Sequence, residues 1–436
     1  MIILYDDQRA RRFEPFATTR PLGEMRAGAL LVRERWTHAL GQAAGAFVSG
    51  EHHRTFSEFD APPFADTEQR RASAADATAV ALAPGAILVN TRALPTLRPS
   101  QPPIPSSTPN GADDTTIDVW TVGGRVAAVR LASALDAQTS RDLVDGSLSL
   151  DEFCGRRAAS SLTVRALDGV WLDEVWDIIT HLPALLTSDI PALASHHDCV
   201  ALDDAGASGR GPVIIGGHPV WLEAGATVEP FAVFDTTLGP VLLRRGASVQ
   251  AFTRVIGPSY IGCDSTVMAD RISGSSIGDT CRVHGELSAT VFIGHANKGH
   301  DGFVGHSIIG RWVNLGASTV TSNLKNTYGT VALWTPDGIR DTGLQFLGTL
   351  FGDHAKTGIG LRLTTGCVLG AGANVMDAMP PKFVVPFAWG ARAPYERFAL
   401  SKFLETAERM MARRNVTLTA AQREHLARIH ARATTT

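Results

Sequence analysis

Aliphatic residues recur every six positions at Leu243, Val249, Val255, Ile261 and Val267. The same phase returns at Ile277 and Val283, at Ile309 and Leu315, and at Leu363, Leu369 and Val375, with Leu222 and Val228 ahead of them. A glycine often follows the aliphatic residue, as at Gly262, Gly278, Gly310, Gly316 and Gly370. A period of six matches neither the 3.6-residue helix nor the two-residue strand. It predicts a β-solenoid in which each hexad forms one flat face and three hexads close one triangular coil. The aliphatic residue points inward and stacks on its equivalents, and small residues let the chain turn the corners. The phase breaks over residues 284–308, rich in His, Gly and Lys, and again over 327–356. Breaks in a rigid scaffold are loops, where chemistry tends to be placed.

Ahead of the repeat the pattern is mixed. MIILYDD opens as a buried strand, ALLVRERWTHAL carries apolar positions at helical spacing, and GAILVN is a second short strand. VWTVGGRVAAV reads as a hairpin turning on two glycines, and EVWDIITHLPALL as an amphipathic helix with an internal proline. Residues 94–117 hold six prolines among Ser, Thr and Asn, which predicts a loop or linker. Beyond 391 the chain reads as two amphipathic helices packed on the solenoid, with Thr417 or Thr419 as N-cap of the second. The expected organisation is an α/β domain over 1–200, a β-solenoid over 211–390 and a helical tail over 391–436.

Composition narrows the function classes. A net charge of −3 over 436 residues gives no electrostatic footprint for nucleic acid or an anionic membrane. The chain contains no run of eighteen apolar residues, and its opening is too short for a signal peptide. Its five cysteines are scattered and never spaced CxxC, which argues against a disulfide framework and for a reducing cytoplasm. Only five of the 40 basic residues are Lys: Lys298, Lys325, Lys356, Lys382 and Lys402. Lys and Arg are not interchangeable, so the three lysines between 298 and 356 stand out against the arginine bias.

The segment KGHDGFVGHSIIGRWVNLGASTVTSNLKN (298–326) resembles the left-handed β-helix domain of bifunctional sugar-nucleotide enzymes. Those are the enzymes similar to N-acetylglucosamine-1-phosphate uridyltransferase/glucosamine-1-phosphate N-acetyltransferase. The opening ILYDDQRARRFEPFATTRPLGEMRAGALLVRERW resembles a divergent branch of sugar nucleotidyltransferases. The resemblance implies an α/β nucleotidyltransferase-like domain followed by a trimeric left-handed parallel β-helix. It implies acetyl transfer from acetyl-CoA to an amino-sugar 1-phosphate, and a nucleotidyl transfer that uses a nucleoside triphosphate and Mg2+. His300 matches the family's catalytic base. Lys298, Phe303, Asn314, Asn323, Lys325 and Lys356 are the substrate-binding candidates. In the first domain the resemblance places Arg11, Arg12, Thr19, Arg20 and Asn90 at the nucleotide.

The departures are specific. Ser288 stands where better-studied relatives carry a Lys, Phe303 where they carry a Tyr, and Leu22 where a Lys follows the TRP motif. Arg92 replaces the Asp that supplies a metal ligand, which leaves Asp6 and Asp7 as metal candidates or the first activity lost. Two other classes stay open. His284, His295, His300 and His306 have spacings reminiscent of zinc β-helix enzymes of the γ-class carbonic anhydrase type. A hexapeptide scaffold without chemistry is the third.

Overall fold

The computed structural model describes residues 1–65, 82–97, 117–202 and 211–433. The greater part of the proline-rich 94–117 segment lies outside the described residues. The first domain is built on six strands: β1 (Ile2–Tyr5), β2 (Ala44–Val48), β3 (Ile87–Asn90), β4 (Ile117–Val122), β5 (Arg125–Arg130) and β6 (Leu162–Leu167). Their order is β2-β1-β3-β5-β4-β6, with β1 parallel to both β2 and β3. Central β1 is completely buried, as its unbroken aliphatic run requires. Helix α1 (Val32–Leu40) ends at Gly41 in the left-handed conformation and buries Trp36 against the sheet. The expected proline-bearing helix divides at His181: a single turn over Asp177–Thr180 precedes α2 (Leu182–His196). Pro183 sits in the first turn of α2, where its missing N–H costs nothing.

From Val213 the chain winds into a β-solenoid of about ten turns, consistent with a left-handed β-helix. Leu243 lies beside Ile261, and Ile261 beside Ile277, so equivalent hexad positions stack coil on coil. Leu243, Val249, Val255, Ile261, Val267, Ile277, Val283 and Ile309 are all fully buried in one core. Three edges separate three faces. One edge turns through residues with positive φ at Asp264, Thr280, His295, Trp312, His354 and Phe387.

One expectation about the repeat changes. Residues 284–308 are not an excursion: strands at Leu287–Ser288, Val291–Gly294, Asn297–Lys298, Val304–Gly305 and Ile308–Ile309 keep the ladder. Lys298 occupies the register position of Val283, so the aliphatic phase is lost while the coil continues. The longest gap between these strands is residues 299–303. The second break is real. The chain leaves the ladder after Thr321 and returns at Thr349, carrying a hairpin of Ala332–Thr335 and Gly338–Asp341.

Helices α3 (Leu400–Ala412) and α4 (Ala420–Arg432) close the molecule, and Thr419 caps α4 in a reciprocal box with Gln422. They pack on Trp312 and Phe387 of the solenoid. His425 of α4 also bonds the carbonyl of Thr19, so the tail touches the first domain as well.

Candidate functional site

The His300 loop is built on a buried ammonium. Lys298 is 2% exposed, and its Nζ donates to the carbonyls of His284 (2.8 Å), His300 (2.6 Å) and Asp301 (3.2 Å). Burial pushes its pKa down to about 8, opposed by Asp301 and Asp270. Lys298 is therefore not a phosphate contact: all three donors hold the loop from below. Gly302 completes the turn at φ +113, pressed so close that a Cβ would stand 2.3 Å from the Thr319 carbonyl. Asp301 accepts from Ser318 Oγ at 2.9 Å. On this base His300 projects exposed, and its imidazole makes no hydrogen bond or ion pair with any described residue. Replacing the ammonium should loosen the loop while sparing the coil. Lys298→Met is expected to cost about 2 kcal/mol, the order of one charged hydrogen bond with its acceptors left unpaired. An unchanged thermal melt would contradict this.

The other substrate candidates do not converge on His300 within one chain. Asn314 lies on the face that leads into this edge and accepts from Asn297 Nδ2 at 2.9 Å. Lys356 follows it on the same ladder, with Nζ on the His354 carbonyl at 3.0 Å and its pKa lowered to about 8 by burial. Asn323 lies at the next edge, 2.8 Å from His306 Nδ1, and His306 stacks on Phe346. Phe303 and the Asn323 amide both crowd Gly305, placing them together between the two edges. Lys325 is half-buried, and burial, followed by the nearby Lys325 ammonium, lowers the pKa of Lys382. The histidines of the zinc alternative are dispersed. His295, the His300 loop and His306 occupy three different edges, and His295 is buried between Phe59 and Trp312 beside Arg311. No group of three metal-ligating side chains exists among the described residues.

In the first domain most of the nucleotide candidates serve the structure. Arg11 donates to the carbonyls of Asp6, Val144 and Asp145. Thr19 and Arg20 are buried and both bond Asp353 of the solenoid, at 2.6 and 2.7 Å, while Arg20 also pairs with Glu58 at 2.9 Å. The TRP motif is thus a strut between domains. Asn90 donates to Asp7 at 3.0 Å and accepts from the Arg92 N–H. Arg12 alone among these stays half-exposed, paired with Asp337 of the solenoid hairpin.

Asp6 and Asp7 do not fit a magnesium ion. Asp6 accepts from the Leu22 N–H, Ser49 Oγ and Thr91 Oγ1, and burial raises its pKa despite those bonds. Asp7 accepts from the Ala10 N–H, Asn90 and three times from Arg92. Burial alone would raise its carboxyl, but Arg92 holds it below the usual range. Both oxygens of each carboxylate already accept hydrogen bonds, and Asp7 is paired with Arg92, so no step is routed through a metal here.

Sequence reasoning missed the interdomain network altogether. Glu58 receives Arg20, Arg311 and Trp312, and these hold its pKa near 2 against the opposing pull of burial. Burial pushes His52 down to about 4, His295 with Arg311 beside it down to about 3, and His354 with Lys356 beside it down to about 3. These three rings are neutral when folded and gain a proton each when unfolded between pH 6.5 and about 4. Burial raises Glu24 to about 7, which opposes them by one proton over pH 4.5 to 7. Stability is therefore expected to fall as pH drops from 6.5 toward 4. Urea midpoints that rise over that interval would contradict this sign.

Residues 2–198 match the sugar nucleotidyl transferase family model. The chain is similar to bifunctional protein GlmU of Methanococcus vannielii, 31% identical over 126 residues, 28% of each chain. It is also similar to GlmU of Desulfitobacterium hafniense, 29% identical over 199 residues, covering 39% of this chain and 40% of the relative. GlmU of Acaryochloris marina is 30% identical over 158 residues, 35% of this chain and 30% of the relative. The chain thus matches less than half the length of these relatives.

Proposed function

We propose that this protein is a transferase of sugar-nucleotide synthesis whose solenoid moves an acetyl group from acetyl-CoA to an amino-sugar 1-phosphate. The observation that carries the reading is His300: an exposed, unbonded imidazole on an edge loop clamped by Lys298. The similarity to GlmU proteins supplies the substrate class. In this reading His300 takes the proton of the amine as its nitrogen attacks the thioester carbonyl. The C–N bond forms, the C–S bond breaks, and the proton passes to the departing sulfur. Lys325 is the candidate contact for the sugar phosphate. Asn314 and Lys356 on one side of His300, and Asn323 on the other, complete the site only if a neighbouring chain brings its own copy alongside. The reading therefore includes a homotrimer, with acyl transfer at the subunit boundary.

The first domain enters as the sugar-nucleotide module of a two-domain cytoplasmic enzyme. No described helix is long and apolar enough to cross a membrane. The test is incubation with acetyl-CoA and a panel of amino-sugar phosphates and nucleoside triphosphates, with free thiol and pyrophosphate followed separately. Thiol release that depends on an amino sugar supports the acyl reading. Its absence with every acceptor contradicts it. Light scattering that shows a monomer at micromolar concentration would count against the shared site.

A further inference from the structure

Strands β1 and β3 run parallel with Tyr5 beside Asn90, so the residues that follow them meet at the carboxyl ends of the sheet. Crevices at this end of a parallel sheet are where ligands bind. Here the meeting point holds a guanidinium. Arg92, 6% exposed, places Nε 2.9 Å from both Asp7 oxygens and Nη2 2.7 Å from one of them. Its Nη1 reaches Asp173 at 2.9 Å and the Leu172 carbonyl at 3.2 Å. Two carboxylates from separate loops thus converge on one fixed positive charge. Arg125 shares Asp173 and stacks on Trp171 at 3.9 Å. Close by, Arg9 also donates to the Asp173 carbonyl, Arg9 and Arg340 both pair with Glu174, and Arg12 pairs with Asp337. Arg9, Arg12 and Arg340 are 42–48% exposed at the side chain, and such exposed pairs are worth little. A polyphosphate offers the same guanidiniums more charge and bidentate acceptors.

We propose that Arg92 stands in the place of a divalent cation, and that the mouth of the first domain binds a polyphosphate group without metal through Arg9 and Arg12. The inference rests on reading this domain as a sugar-nucleotide module, and it deepens that reading by fixing how the phosphates are held. A guanidinium supplies charge and donors but exchanges no ligand. The site therefore recognises the phosphate chain and is expected to release no pyrophosphate.

The experiment titrates the whole protein with inorganic pyrophosphate in EDTA by calorimetry, and with Mn2+ alone by electron paramagnetic resonance. Pyrophosphate should bind in EDTA, weaken at least about tenfold in Arg12→Ala, a factor of ten being about 1.4 kcal/mol, and weaken on added salt. The wild type should take up no Mn2+ that Asp7→Asn removes. Arg92→Asp, checked for folding by circular dichroism, should gain about one Mn2+ per chain. Pyrophosphate that fails to bind, or binds only with Mg2+, overturns the proposal. So does wild-type Mn2+ uptake abolished by Asp7→Asn. Thiol release at the solenoid is a separate readout, so failure here and failure of the acyl reading are told apart.

Discussion

His300→Ala is expected to lower kcat for acetyl transfer by about 10²–10⁴-fold, the range lost with a general base, while coenzyme A affinity changes little. The substitution removes proton abstraction and leaves the loop intact, because Lys298 holds its backbone through carbonyl oxygens, including that of residue 300 itself. His300→Ala should also leave the thermal melt unchanged, since the side chain is exposed and contributes nothing to the aliphatic stack. Lys325→Ala separates binding from chemistry. If Lys325 meets the sugar phosphate, its removal raises KM more than it lowers kcat, as loss of uniform binding does. Steady-state kinetics of the two variants on one accepted amino sugar decides both. Full activity in His300→Ala would remove this residue from the mechanism.

Asp353→Ala is expected to cost about 3–5 kcal/mol, the range for breaking a buried ion pair from one side. Asp353 is 2% exposed and accepts from Thr19, Arg20 and the Arg311 N–H. Its loss leaves the Arg20 guanidinium, also 2% exposed, with Glu58 alone. Because the pair spans the two domains, urea unfolding should lose cooperativity and limited proteolysis should cut between solenoid and first domain. Asp60→Ala is the control. That carboxylate is 76% exposed on Arg33, and removing it should change stability by no more than about 1 kcal/mol. Equal effects from the two substitutions would contradict the claim that Asp353 locks the domains.

The solenoid was legible because its period is local. Each hexad repeats the same burial, so Val249, Val255, Ile261 and Val267 declare the architecture without reference to the rest of the chain. The strands of the first domain were legible for a similar reason, as buried aliphatic runs. What no local pattern carries is a partner distant in sequence. Arg20 reads as part of a TRP motif beside a nucleotide, and only the docking of the solenoid 333 positions away shows it bonded to Asp353. Lys298 stood out against the arginine bias, yet its burial depends on three carbonyls that the coil supplies. The break assigned to 284–308 failed for the same reason: a lysine at an inward position hides the phase but not the ladder. Arg92 was visible as a departure. That it bridges Asp7 and Asp173 was not, since Asp173 lies in no motif.

Mass spectrometry of the products from acetyl-CoA and a panel of amino-sugar 1-phosphates tests the assignment of acyl transfer to the solenoid most directly. The account predicts an acetylated amine, one thiol released per amide formed, and loss of both in His300→Ala. Thiol release without an amide, or an amide formed at the full rate by His300→Ala, would contradict it.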